Sequence, residues 1–349
     1  KMIKKTIEKA EEKLKRIANV LLLNASFISD FGLFNGKIGI AVFFYHYSRY
    51  SGNKMLEDYA GELIDEVYSS IDSGVPVDFT NGLMGIGWGI EHLVNEGFLE
   101  ADTDEVLKDI DGIVFKASLK DPVLLNDSNE LFGFGLYYIA RLYGRGNDDH
   151  NLNTIVKKQM LVYLHDDCER LLAVDVVLNK AIPRMTLDQL NSLMFFIINM
   201  QKLWLFPAKL SRIEKIIPAY IGKSKIKSES KIELNALRYL LDACRNKIND
   251  PRLKAEYTEV INSIKPTGVE EEGRILADEI IKSSWYSLVF KIPVQYMLDG
   301  FIPGVRLFEI IDNEDNWQQR LSLLNSNNLG LDGGMAGLGM TILNGIKSG

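Results

Sequence analysis

Two carboxylates each lie just ahead of one of two similar stretches. Asp78 precedes "TNGLMGIGWGIEHL" and Asp332 precedes "GGMAGLGMTIL", each just ahead of a glycine-started apolar run. A pair of carboxylates across a cleft can perform general acid and base work on a glycosidic bond, with their separation deciding the mechanism. The same two residues can instead cap the helices they precede, because carboxylates are favoured at helix N-termini. His92 follows Glu91 within the second stretch, and adjacent helical residues point about 100° apart, so the two are no ready-made base and partner. As a candidate catalytic group, His92 competes with a role in the core or in a lumen. His46, within "FFYHYSRY", has the pattern of a hydrogen-bonded core histidine. "HDDCER" places His165 and Cys168 at i, i+3 beside Asp166 and Asp167. A metal there would need two further ligands, and a solvated acidic face of an outer helix explains the segment without one.

The elements that would position these groups recur along the chain. "FNGKIGIAVFFYHYSRYSGN" (34–53), "TNGLMGIGWGIEHLVNEG" (80–97), "LFGFGLYYIARLYGRGN" (131–147) and "LDGGMAGLGMTILNG" (331–345) are copies of one pattern. Weaker copies lie at 190–204, 232–246 and 283–297. The period of roughly 45–60 residues is that of a repeat architecture. Polar-faced amphipathic segments alternate with them, most clearly 3–22, 55–71, 102–118, 153–178 and 302–324. A helix that is apolar all round must be buried, and one with a single apolar stripe lies at the surface. The expected fold is therefore all-α, an α/α toroid (double-ring barrel) of about seven inner and seven outer helices. An open solenoid would need atypical capping repeats at its ends, yet the end copies here are the best ones. Residues 1–349 are expected to form a single domain, with "IGKSKIKSESK" (221–231) as a surface loop.

Glycine costs about 1 kcal/mol relative to alanine inside a helix, so Gly82, Gly85, Gly87 and Gly89 require an explanation. A phosphate cradle is excluded by context: no strand precedes the segment and no Lys-Ser/Thr pair follows. Asn-Gly ahead of a helix suggests a φ > 0 turn with Asn as cap, and small residues in the first turn allow close backbone approach. Asn35, Asn81, Trp88, Tyr45 and Trp285 are the candidates to line a central cavity, with core packing as the other explanation.

Hydrophobic residues make up 46% of the chain and charged residues 25%, ordinary values for a globular protein. A net charge of −7 argues against a nucleic-acid partner. Two widely separated cysteines, Cys168 and Cys244, point away from a disulfide framework and toward a reducing compartment. The N-terminal segment lacks the apolar core of a signal peptide, and the longest apolar runs fall short of a membrane span. A cytoplasmic protein with no membrane partner is expected.

The repeated glycine-started helices, "NGKIGIAVFFYHY", "TNGLMGIGWGIEHL" and "GLDGGMAGLGMTIL", resemble those of the lanthionine synthetase C-like (LanC-like) family. That resemblance implies an α/α toroid of seven inner and seven outer helices. It also implies a zinc-dependent cyclase, in which a metal-bound peptide cysteine adds to a dehydroamino acid to form a thioether. Coordination matters because a free thiol with a pKa near 8.5 is mostly protonated at neutral pH. The family's zinc ligands are a Cys at the head of one late inner helix and a Cys-His pair at the next. Here the corresponding stretches read "KIELNALRYL" and "KSSWYSLVF". There is no Cys-His dipeptide, no histidine lies beyond His165, and Cys244 is about three turns into its helix. The resemblance therefore implies a pseudoenzyme with no zinc or other cofactor. Its partner would be a precursor peptide or a peptide-modifying enzyme, in the maturation of a modified peptide. A cyclase with substitute ligands, or a carbohydrate-active α/α barrel using Asp78 and Asp332, are the alternatives.

Overall fold

The computed structural model describes residues 2–71, 74–120, 128–143, 151–178, 185–224, 230–264, 275–297 and 328–348. The expected outer helix at 302–324, and 225–229 of the expected surface loop, lie outside the described residues. Among those described, every regular element is helical. In chain order they are α1 (Met2–Asn24), a 3-10 turn (Ala25–Phe27), α2 (Lys37–Ser51), α3 (Lys54–Ser70), α4 (Leu83–Asn95) and α5 (Thr103–Val106). Next come α6 (Lys108–Lys120), α7 (Ser128–Leu142), α8 (Leu152–Leu178), α9 (Leu187–Lys202) and α10 (Pro207–Ser224). Last are α11 (Lys231–Arg245), α12 (Pro251–Ser263), α13 (Ile275–Phe290), α14 (Val294–Met297) and α15 (Met335–Ser348).

The helices gather into two compact units, Lys1–Val114 with Glu270–Gly349, and Phe115–Val269. In the first unit, α2 is buried continuously from Lys37 to Tyr45 and α4 from Leu83 to Leu93. By contrast, α3 buries a single stripe, Leu56, Ala60, Leu63 and Val67, at the i, i+4, i+7 spacing of a surface helix. Helix α2 packs against α3, α4 and α15, and α15 also contacts α1 and α13. The contact between first and last copies that a closed ring requires is thus made within this unit. In the second unit α7, α9 and α11 pack in succession, as do α8, α10 and α12. The alternation of layers expected from sequence is present in each unit.

One local device starts the inner helices of the first unit. The first N–H groups of an α-helix have no partner within it. Gly36 and Gly82 occupy the capping positions, and neither uses a side chain. The preceding segment instead hooks back over the helix end. Lys37 and Ile38 donate to the carbonyls of Asp30 and Phe31, and Leu83 and Met84 donate to those of Pro76 and Val77. Ala336 and Gly337 repeat the scheme with Leu329 and Gly330. The glycines follow from this close approach. A Cβ on Gly82 would lie 2.3 Å from the Pro76 carbonyl oxygen, and one on Gly334 2.5 Å from that of Gly330. Backbone φ at Gly36 and Gly82 is −113° and −110°, so the expected φ > 0 turn is not the reason for glycine there.

The hooks also bind one another. Phe34 N donates to Thr80 O (2.8 Å), and Leu331 N donates to Phe34 O (2.6 Å). The first hook therefore lies between the second and the last. Gly32 fits against the Asn81 Cα, where an added Cβ would approach to 2.2 Å, and Gly330 fits in the same way against Phe34 and Asn35.

Candidate functional site

The hooks decide what Asp78 does. Its Oδ1 accepts hydrogen bonds from Thr80 N (2.9 Å), Thr80 Oγ1 (2.7 Å) and Asn81 N (2.8 Å), closing the turn ahead of α4. These bonds close a turn before the helix and do not cap α4 itself, whose N-cap is Gly82. Asp332 is half-buried in the last hook, where its backbone N–H donates to Phe34 O. Replacing Asp78 with Ala removes three acceptor contacts and is expected to destabilise the protein by about 1–2 kcal/mol, with Asp78→Asn costing less. Urea midpoints of the two variants test this, and equal losses would refute the turn-closing role.

The other candidates form a connected aromatic path through the first unit. Trp285 packs on Phe34 (5.2 Å between ring centroids), Phe34 on Phe79 (6.4 Å) and Phe79 on Trp88 (6.1 Å). Trp88 stacks on His92 (5.2 Å, 4° between planes), and His46 meets Phe98 at 4.8 Å. The two imidazoles meet with Nε2 atoms 3.0 Å apart. That geometry requires one ring to donate and the other to accept. Burial comes first, then the charges of Lys291, His46 and Arg49, in holding the His92 imidazole well below its ordinary pKa. Arg49 lies 3.4 Å over the Phe98 ring and donates to Glu96 O (2.7 Å), while Lys291 stands 3.5 Å from the Glu96 carboxylate. This end of α2 and α4 thus combines buried and half-buried aromatic rings, imidazole and two exposed cations.

Tyr45 is buried with its hydroxyl near Gly61 of α3, and its pKa rises to about 12 through burial and the carboxylates Glu57, Asp65 and Asp58. Asn81 Oδ1 accepts from Asn35 N (3.3 Å), so this side chain joins two hooks. The His46–His92 pairing is a contact that reading each helix alone misses. Its signal is positional: His46 follows Gly36 by ten residues, and His92 follows Gly82 by ten.

The fold and this site define an all-helical repeat protein in which α2, α4 and α15 are started by glycine hooks. Residues 1–131 match the family model described as Lanthionine synthetase C-like protein, so that segment is similar to the family. No curated protein matches the chain.

The family implies a zinc ion, and the donors present do not fit it. Burial pushes the thiols of Cys168 and Cys244 up to about 12. A zinc ligand must be a thiolate, a form that burial disfavours at both cysteines. Cys244 also donates to the Tyr257 hydroxyl (3.7 Å) and accepts from the Gln201 amide (3.6 Å). Among the described residues, "KSSWYSLVF" is not a helix head, because α13 begins at Ile275 and holds Ser283 and Ser284 fully buried. No helix among those described is long and apolar enough to cross a membrane.

Proposed function

We propose that this chain is a LanC-like protein without the family's zinc site that binds a peptide during the maturation of a modified peptide, without forming the thioether itself. The observation that carries the reading is a contrast within one chain. Three inner helices start in the same hooked way, while both cysteines are buried with raised thiol pKa values and Cys244 is engaged by Tyr257 and Gln201. Aromatic and basic groups at the ends of α2 and α4 suit an extended peptide, stacking under its side chains and attracting carboxylates.

The test uses a fluorescent peptide bearing cysteine and dehydroalanine, with binding followed by anisotropy and free thiol counted by titration. Saturable binding with full retention of thiol, with or without added zinc, is expected. Arg49→Ala is expected to weaken binding about fivefold to tenfold, the loss of one charged or stacking contact. Catalysed loss of thiol above the rate in buffer, or no binding at all, overturns the proposal.

A further inference from the structure

We propose that His165, Asp166 and Glu169 on α8 form a binding site for a divalent transition-metal ion, guarded in the metal-free protein by Lys209 and Arg212 of α10. The site is separate from the aromatic path and from the family's zinc position, and it lies wholly within the second unit. Helical spacing assembles it: residues i and i+4 share a face, and residue i+1 lies one step around the helix. One ligand atom from each of the three lies within 4.8 Å of the other two.

The imidazole is what separates this cluster from an ordinary acidic surface. His165 is 1% exposed, and neither Nδ1 nor Nε2 has a hydrogen-bond partner. Leaving such groups buried and unsatisfied is unfavourable, and a ligand at the ring nitrogen would relieve it. The Nδ1 atom stands 3.5 Å from Asp166 Oδ1. That is longer than a good hydrogen bond. It is close to the separation of about 3–3.4 Å between two ligand atoms each bonded to zinc at about 2.0–2.2 Å. Burial, opposed by Asp166 and Glu169, keeps the ring neutral, the form that ligates. One imidazole nitrogen and two carboxylates, with the remaining positions left to water, suit Zn²⁺, Co²⁺, Ni²⁺ or Mn²⁺.

Both carboxylates already have cationic partners. Lys209 Nζ lies 2.7 and 2.5 Å from the two Asp166 oxygens, and Arg212 makes a two-pronged contact with Glu169 at 2.8 and 3.1 Å. These side chains approach from solvent, being 31% and 58% exposed. Exposed ion pairs of this kind are weak, because solvent and salt screen them. They can swing outward when a metal ion takes the carboxylates. The arrangement therefore makes an unusual demand: removing a cation from α10 must strengthen binding on α8.

Isothermal titration of the full chain with ZnCl₂, after chelator treatment, tests the proposal. One equivalent is expected to bind. Glu169→Gln is expected to reduce the affinity by about tenfold or more, and Lys209→Met to raise it about fivefold, as relief of one exposed ion pair allows. His165→Gln removes the nitrogen donor, and the surface variants keep the test decisive if that buried substitution prevents folding. No zinc bound by either the unsubstituted chain or Lys209→Met overturns the site. So does zinc binding that Glu169→Gln leaves unchanged. Neither outcome affects the peptide-binding reading, which rests on thiol retention and on Arg49.

Discussion

Adding one methyl group at Gly85 is expected to cost more stability than truncating most core side chains. A Cβ there would lie 2.2 Å from the Phe79 carbonyl oxygen and 3.0 Å from the Leu33 Cβ. The first contact is with backbone, so no rotamer change relieves it. Either the hook lifts off α4, abandoning the bonds from Leu83 and Met84, or α4 moves away from the first hook. Each lost backbone hydrogen bond contributes about 1 kcal/mol, and overpacking of a rigid site adds about 1–3 kcal/mol. Gly85→Ala is expected to lose at least about 3 kcal/mol, and Gly39→Ala a similar amount, since its Cβ would meet the Leu33 carbonyl oxygen at 2.1 Å. Gly112 supplies the control. It lies within α6 with nothing inside 4 Å of an added Cβ, so Gly112→Ala is expected to gain about 0.8–1 kcal/mol. Urea unfolding followed by circular dichroism measures all three, and a Gly85→Ala midpoint matching the parent would refute the close-approach account.

The same glycines show what sequence can and cannot reveal. Their recurrence at Gly36, Gly82 and Gly334 was legible, and so was the conclusion that they belong to architecture rather than to a phosphate site. The reason at Gly36 and Gly82 was not, because the backbone pressed against each glycine arrives by a fold-back that no local pattern records. The amphipathic stripe of α3 was readable for the opposite reason: its burial depends on spacing within one helix. His46 and His92 lie between these cases. Their equal offsets from Gly36 and Gly82 are in the sequence, but the 3.0 Å contact also requires two neighbouring inner helices in matching register. The start of α13 was misplaced by about two turns, since "ILADEIIKSSWYS", like the weak copies at 190–204 and 232–246, lacks the glycine-started pattern of the four clear copies. His165 was paired by spacing with Cys168, whereas its ring nitrogen approaches Asp166 and Glu169.

Acidification through pH 6 is expected to weaken the protein well before its carboxylates titrate. The His92 imidazole is held neutral by burial and by Lys291, His46 and Arg49, and that of His165 mainly by burial. Both native pKa values are depressed, while in the unfolded chain both rings titrate near the ordinary value of about 6.5. Above that pH neither state is protonated and the rings contribute no pH dependence. Below it the unfolded chain takes up protons that the native protein refuses, so stability falls as pH falls. The slope approaches about 1.4 kcal/mol per pH unit for each histidine, until the native rings themselves protonate. Asp166 does not oppose this. Burial raises its carboxyl pKa, but the hydrogen-bonded Lys209 ammonium and the nearby His165 outweigh that and leave it lowered, so its stabilisation is lost only at still lower pH. Urea midpoints at pH 7.5, 6.5 and 5.5 should therefore be nearly level over the first interval and drop over the second. His92→Gln, which keeps a polar group facing His46 but cannot titrate, should remove roughly half of that drop. A variant whose pH profile overlays that of the parent would place the His46–His92 contact outside the acid response, leaving it a purely geometric joint between α2 and α4.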